Sequence, residues 1–187
     1  MKVLLIQPPS IDSLTDRVFL FEPLALEYLG AGLKLDGHTV EVLDARLEPD
    51  IEQASRSFQP QVVGLTGFTC HLNIIKGIAT RLKAIFPELR VVVGGHHATV
   101  RPEDFNEPTI DVVVIGEGVF TLREILRSFE AGGGLLDVAG VAIPSPDGMQ
   151  YSVPRHYTDL NLLPFPDRSL TARHRHNYFS EWFKPLA

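Results

Sequence analysis

Short apolar runs alternate along this chain with longer stretches in which apolar residues recur every three or four positions. The short runs predict five strands, at Val3–Ile6, His38–Leu43, Gln61–Leu65, Arg90–Val93 and Asp111–Ile115. The longer stretches predict helices at Glu22–Leu35, Ile51–Phe58, Leu72–Phe86 and Val119–Glu130, with a short helical turn at Pro102–Phe105. Strands that alternate with helices are typical of a parallel sheet with crossover connections. We therefore predict an α/β fold, a doubly wound five-stranded parallel sheet of the flavodoxin-like or Rossmann-like kind, in the order 2-1-3-4-5.

The pattern changes after the glycine run at residues 132–134. Two short apolar runs, Val138–Ile143 and Gln150–Val153, flank a turn rich in proline and polar residues, which predicts a β-hairpin. Tyr157–Pro166 is predicted to be extended, and the remaining residues show no clear period, so His174 and His176 are expected on a solvated surface. We predict two parts of the chain, an α/β domain over 1–134 and a hairpin with an extended linker over 135–187.

Ligands of an open parallel sheet bind outside the carboxyl ends of the strands, where the strand order reverses. Four loops are expected at this edge, and three of them contain glycine, which allows close approach of the backbone to a ligand. Hydroxyl side chains and backbone N–H groups there predict a site for a phosphate-bearing cofactor. The candidate cofactor-binding residues are Gln7, Pro8, Pro9, Thr66, Gly67, Phe68, Thr69, Cys70, His71, Gly94, Gly95, His96, His97, Gly116, Glu117 and Gly118.

Composition narrows the class of protein. The chain has 187 residues, enough for one sizeable domain with a tail, and 44% of them are apolar. A net charge of −6 argues against a nucleic-acid partner. No apolar run approaches the roughly 20 residues of a membrane span, so we expect a cytoplasmic protein. The single cysteine, Cys70, excludes an intrachain disulfide and an iron–sulfur cluster ligated by three or four cysteines of this chain.

Familiar nucleotide motifs are missing from the loops. No G-x-G-x-x-G follows the first strand and no G-x-x-x-x-G-K-[ST] occurs anywhere. Asp12, Asp16 and Asp44 do not make a convincing acidic cluster, which argues against a response-regulator receiver. We assign no metal ligand, since neighbouring histidines such as His96 and His97 diverge in extended backbone, and no catalytic residue. From the residues alone, a binder of FMN or another nucleotide and a regulatory domain both stay open.

Several segments, taken in order, point to one family. They include Lys2–Pro9, Val92–Thr99, the Gly116-Glu117-Gly118 turn after Ile110–Val113, and Leu163–Arg168. Together they resemble the N-terminal cobalamin (B12)-binding domain of B12-dependent radical SAM enzymes, a family of methyltransferases and anaerobic Mg-protoporphyrin monomethyl ester cyclases. The resemblance extends over almost the whole chain.

The resemblance implies a mode of cobalamin binding. Classical B12 domains carry D-x-H-x-x-G after the first strand, whereas this chain has Gln7-Pro8-Pro9 there. It therefore implies base-off cobalamin without a histidine ligand from that loop, with the lower face of the corrin against Phe68–His71. The nucleotide tail would run down past Thr66, Gly94 and Gly95.

The resemblance also implies a missing partner. The family's C-x-x-x-C-x-x-C motif holds a [4Fe–4S] cluster and S-adenosylmethionine in a radical SAM barrel, and one cysteine cannot supply it. We therefore expect this chain to be a fragment of such an enzyme, inactive alone. Its role would be to present cobalamin to a radical SAM domain of the same polypeptide.

Overall fold

A central sheet organises this protein, for which a computed structural model describes residues 1–11, 19–156 and 159–180. Nine strands are assigned in these ranges: β1 (Lys2–Gln7), β2 (Phe19–Leu20), β3 (Thr39–Asp44), β4 (Val62–Thr66), β5 (Arg90–Gly94), β6 (Val112–Val114), β7 (Val141–Ile143), β8 (Gln150–Tyr151) and β9 (Phe179–Ser180). Strands β3, β1, β4, β5 and β6 are parallel neighbours in that order. This order confirms the predicted doubly wound α/β topology.

The sheet is wider than predicted, because the hairpin continues it. Strand β7 pairs antiparallel with β6, with Val113 opposite Ala142, and β8 pairs with β7, so that the sheet has seven strands. The sequence predicted the hairpin but not its partner. The hairpin covers the backbone groups that β6 would otherwise present at an open edge.

Helices cover both faces of the sheet. They are α1 (Leu24–Leu35), α2 (Ile51–Phe58), α3 (Leu72–Ile85), α4 (His96–Val100) and α5 (Gly118–Ala131). The predicted helices are found within about two residues of their expected ends, whereas α4 lies in a segment predicted to be a loop. Apolar side chains of α1 and α5 pack on one face, and those of α2, α3 and α4 pack on the other. Side chains that alternate along β1 and β4 join these two cores in turn.

The C-terminal segment is docked on the domain. Asp167 accepts a hydrogen bond from Lys34 (2.6 Å) at the end of α1, and Thr171 donates to the buried Glu27. Tyr178 is 1% exposed, and its hydroxyl lies 3.2 Å from Asp44. His176 is exposed as expected, whereas the expectation of a solvated His174 was wrong, because its side chain is 17% exposed and pairs with Glu48. Strand β9 then pairs with β2.

In the described ranges, no helix is both long enough and apolar enough to cross a membrane. The predicted extended segment at 157–166 contains a 3-10 turn at Leu160–Leu162, and its first two residues lie outside the described ranges. Asp12 and Asp16 also lie outside them.

Candidate functional site

A cavity of about 270 Å³ opens at the carboxyl edge of the sheet, between helices α1 and α5. We call it the α1–α5 cavity. Its lining consists of sheet residues, residues of the loops that follow β5 and β6, helix residues and one residue of the C-terminal segment: Leu5, Gly64, Leu65, Thr66, Val92, Gly94, Val114, Gly95, Gly116, Glu117, Ala25, Leu26, Tyr28, Leu29, Gly118, Val119, Leu122 and Leu163.

Two glycines of the sheet give the cavity its depth. Gly64 lies in register between Leu5 of β1 and Val92 of β5, and Gly94 lies opposite Thr66, two residues further along. A Cβ at Gly64 would come within 2.7 Å of the Leu5 side chain, and one at Gly94 within 3.6 Å of Val114 Cβ. Neither glycine has a positive φ. Their missing side chains therefore serve space, not backbone conformation.

The rim of the cavity does need glycine for its backbone. Gly95 has φ +95°, and a Cβ there would lie 2.5 Å from Thr66 Oγ1 and 2.9 Å from the amide nitrogen of Gly67. Gly116 also has a positive φ, and nothing lies within 4 Å of the position of its Cβ. These turns bring bare backbone to the mouth of the cavity.

Glu117 caps the helix at the mouth. Its carboxylate accepts hydrogen bonds from the amides of Val119 and Phe120, the orphan donors of the first turn of α5. The negative charge of Glu117 therefore interacts favourably with the positive, N-terminal end of the α5 dipole.

An ion pair joins the two helices that flank the cavity. Asp36, which ends α1, accepts from Arg123 Nη2 (2.6 Å) and Arg127 Nη2 (3.0 Å) of α5. The hydrogen bond from Arg123 has the largest effect and lowers the pKa of Asp36, burial opposes it, and the hydrogen bond from Arg127 adds to the lowering, so that the pKa falls from 3.8 to about 2. These contacts join the C-terminal end of α1 to α5.

The loop after β4 lies on the other side of the edge. Phe68 is 61% exposed, and its ring centroid lies 6.1 Å from that of His96. The amide of Phe68 donates to His71 Nδ1 (3.1 Å), and Cys70 is exposed beside it. The loop therefore presents an aromatic ring and small polar groups to the space above the sheet.

A buried histidine fastens this loop. His97 of α4 is 4% exposed, its Nε2 lies 3.0 Å from Asp104 Oδ2, and its Nδ1 lies 3.1 Å from Thr69 Oγ1. A carboxylate only accepts, so in the neutral ring Nε2 carries the proton and Nδ1 accepts from the Thr69 hydroxyl. The edge of Phe105 packs against the ring. His97 thus links α4 to the loop after β4 and to the segment that follows α4.

The loop after β1 contributes backbone. The carbonyl of Gln7 accepts from the amide of Ala45 (2.9 Å), and Pro8 is buried directly after it. Asp44, at the end of β3, is 1% exposed and accepts from Arg46 and Tyr178. Burial, and then the nearby Asp44 carboxylate, raise the pKa of Tyr178. Asp44 is thus a structural acid that ties the C-terminal segment to the sheet.

The predicted candidates fall into two groups. Six line the α1–α5 cavity: Thr66, Gly94, Gly95, Gly116, Glu117 and Gly118. The others lie along the edge outside its lining: Gln7, Pro8, Pro9, Gly67, Phe68, Thr69, Cys70, His71, His96 and His97. Sequence reasoning missed the inner wall, which includes Leu5, Gly64, Val92 and the residues of α1. Only Gly64 carried a signal, because a glycine inside a buried strand often marks close approach of a ligand.

The described residues contain no group of three or more histidine, cysteine, aspartate or glutamate side chains placed to hold a metal ion.

Fold and cavity together define a doubly wound α/β domain built to hold an organic ligand across its carboxyl edge. A sequence model of the B12-binding domain matches residues 14–126. The chain therefore belongs to the B12-binding domain family, which confirms the resemblance found in its sequence motifs.

Curated relatives agree with this family. An uncharacterized methyltransferase of Pyrococcus horikoshii is 32% identical over 91% of this chain and 39% of its own length. The hopanoid C-3 methylase of Methylococcus capsulatus is 28% identical over 100% of this chain and 36% of its own. The anaerobic magnesium-protoporphyrin IX monomethyl ester cyclase of Synechocystis is 33% identical over 76% and 30%. The chain thus spans less than two fifths of the length of each of these relatives.

Solved structures share the fold. The cobalamin-dependent S-adenosylmethionine radical enzyme OxsB with aqua-cobalamin bound superposes with a TM-score of 0.76 at 18% identity, over 93% of this chain and 25% of that one. The radical S-adenosylmethionine methyltransferase TsrM from Kitasatospora setae, with cobalamin and a [4Fe-4S] cluster bound, gives 0.70 at 22% identity, over 88% and 31%.

Proposed function

We propose that this chain binds cobalamin in the base-off form, with the nucleotide tail in the α1–α5 cavity and the corrin ring over the carboxyl edge. The observation that carries the proposal is the cavity itself, in a chain that belongs to the B12-binding domain family. A cavity of about 150 Å³ holds one benzene ring. A cavity of about 270 Å³ has room for a two-ring base.

The residues present fit the cofactor. Gly94 leaves space beside Val114 for a flat base, and Gly64 lets the Leu5 side chain lie close against β4. The backbone of Gly95 and Gly116 meets the mouth where the ribose and phosphate would pass. Thr66 adds a hydroxyl at the same level. In this proposal, these residues hold the tail and the loop Phe68–His71 receives the lower face of the ring.

The loop after β1 supports base-off binding without a histidine from that loop. Gln7, Pro8 and Pro9 stand where β1 ends, and the backbone of Gln7 is already paired with Ala45. Gln7, Pro8 and Pro9 would border the ring, together with His96, Cys70 and Gly67, while His97 would hold Thr69 in place from below.

Bound cobalamin supplies organocobalt chemistry, and this chain supplies binding and orientation. Because the relatives are more than twice as long as this chain, we further propose that it serves a radical SAM domain that carries a [4Fe–4S] cluster and S-adenosylmethionine. The reaction would be of the methyltransferase or cyclase type. In the same proposal, residues 1–134 form the cobalamin-binding α/β domain, and residues 135–187 form the hairpin and the linker that leads to the radical SAM domain.

The proposal is tested by mixing the protein with hydroxocobalamin, removing free ligand by desalting and recording the visible spectrum. We expect retention of about one cobalamin per chain with a base-off spectrum. A parallel sample with FMN tests the nucleotide-binding alternative. Retention of FMN alone, or of neither ligand, would contradict the proposal, and a base-on spectrum would contradict the placement of the tail.

A further inference from the structure

The inner part of the α1–α5 cavity offers a ligand almost nothing polar. The side chains around it are Leu5, Leu26, Val92 and Leu122, and the floor between them is Gly64. Leu5, Leu26, Val92 and Leu122 are at most 3% exposed. The polar side chains of the lining are Thr66 and Glu117, which lie near the strand ends, and the half-buried Tyr28 of α1. Glu117 is occupied with the amides of α5.

The backbone of the floor is also occupied. Strand β4 pairs with β1 on one side and with β5 on the other, so the peptide groups around Gly64 point along the sheet to their neighbours. A ligand group that lies on Gly64 therefore contacts the face of a fully paired strand. Such a surface favours an apolar aromatic ring, and it leaves hydrogen-bonding groups of the ligand without partners.

The C-terminal segment closes one wall of this cavity. Leu163 belongs to the lining, although it lies far from α1 and α5 in sequence. Its segment is fastened four residues later, where the amide of Asp167 donates to the carbonyl of Glu27 (3.2 Å) and its carboxylate pairs with Lys34. The neighbouring Leu162 is 68% exposed and does not line the cavity. The two leucines thus offer a matched pair of positions.

We infer that the α1–α5 cavity selects among cobamides by their lower base, accepting an apolar benzimidazole and discriminating against a purine, with Leu163 as a specificity-determining wall. The inference rests on the proposed placement of the nucleotide tail. Dimethylbenzimidazole brings two methyl groups and one free ring nitrogen into the cavity. Adenine brings an exocyclic amino group and additional ring nitrogens, each of which gives up hydrogen bonds to water on entry.

The test compares three ligands in their aquo forms with the full chain: cobalamin, the cobamide with adenine as lower base, and cobinamide, which has no nucleotide. Affinities are measured by titration with absorbance detection. We expect cobalamin to bind at least about tenfold more tightly than the adenine cobamide. Equal affinities for cobalamin and the adenine cobamide would overturn the inference while leaving the proposed function in place. No binding of cobalamin would overturn both.

Two variants test whether Leu163 is the specificity-determining wall of the cavity. Leu163→Ala should weaken cobalamin binding about tenfold, narrow the gap between cobalamin and the adenine cobamide, and leave the affinity for cobinamide unchanged. Leu162→Ala is the control and should change none of the three affinities. Thermal unfolding of both variants verifies that the domain is intact. If Leu163→Ala behaves like Leu162→Ala, or weakens cobinamide to the same extent as cobalamin, Leu163 is not the specificity-determining wall.

Discussion

The two faces of the sheet end differently at the carboxyl edge. On the α1–α5 face, the strands contribute Gly64 and Gly94, and a cavity remains between the helices. On the α3–α4 face, the two ring nitrogens of His97 lie within hydrogen-bonding distance of Thr69 and Asp104. In our proposal the two faces have different roles, since one receives the ligand and the other holds the loop above it in place.

The largest effect is expected from filling the cavity. Gly94→Leu places a side chain into the space beside Val114, where its Cβ finds an ordinary contact of 3.6 Å, so the fold should tolerate it. We expect cobalamin affinity to fall at least about 100-fold, with little change in thermal unfolding. Gly77→Leu, on the surface of α3, is the control. Unchanged binding by Gly94→Leu would place the ligand elsewhere.

Gly95 is a less informative target for this purpose. Its φ of +95° and the 2.9 Å approach of a Cβ to Gly67 make any side chain there strain the backbone. A loss of binding in such a variant would therefore mix a folding defect with a binding defect. A variant at Gly94, which has no backbone strain, separates a binding defect from a folding defect.

A change on the α3–α4 face should affect stability more than cobalamin binding. His97→Ala removes a buried ring and two hydrogen bonds, and we expect the free energy of unfolding to fall by about 2–4 kcal/mol. Because the α1–α5 cavity is untouched, cobalamin affinity should change by less than about tenfold. Urea denaturation and ligand titration measure the two quantities. A large loss of affinity with unchanged stability would contradict the proposed roles of the two faces.

The smallest effect is expected at the ion pair between the cavity helices. The lowered pKa of Asp36 means that its charge stabilises the fold above the unfolded value of 3.8, and this stabilisation is lost as the pH falls through about 2. Asp36→Asn should therefore lower the free energy of unfolding by about 2 kcal/mol at pH 6. The difference from the unmodified protein should shrink steadily between pH 4 and pH 2. A difference that is constant with pH would show that the charge of Asp36 is not its source.

Much of this architecture follows from local pattern. The apolar runs that became β1, β4 and β5 were recognisable because strands buried on both faces need nearly continuous apolar sequence. The five-stranded order followed from the alternation of strands and helices, and the glycines near Gly94 and Gly116 marked the edge loops. These features depend on residues that are close in sequence.

Other features had no local signal. That β7 would pair with β6 depends on which edge the hairpin meets, and a hairpin sequence does not encode its neighbour. The docking of Tyr178 on Asp44 joins residues 134 positions apart, and nothing near Tyr178 predicts a buried acid. The helix α4 was missed because the glycines before it are typical of a loop.

The sequence by itself therefore determined the fold class and, through its motifs, the B12-binding family, and it predicted the edge at which we propose that the ligand binds. Only the tertiary structure decided which face of that edge holds a cavity. The α1–α5 cavity forms only when residues of separate elements, such as Leu5, Gly64 and Leu163, come together in the folded chain. The distance between α1 and α5, to which the contact between Asp36 and Arg123 contributes, sets the width of the cavity. That distance is a property of the assembled sheet and helices.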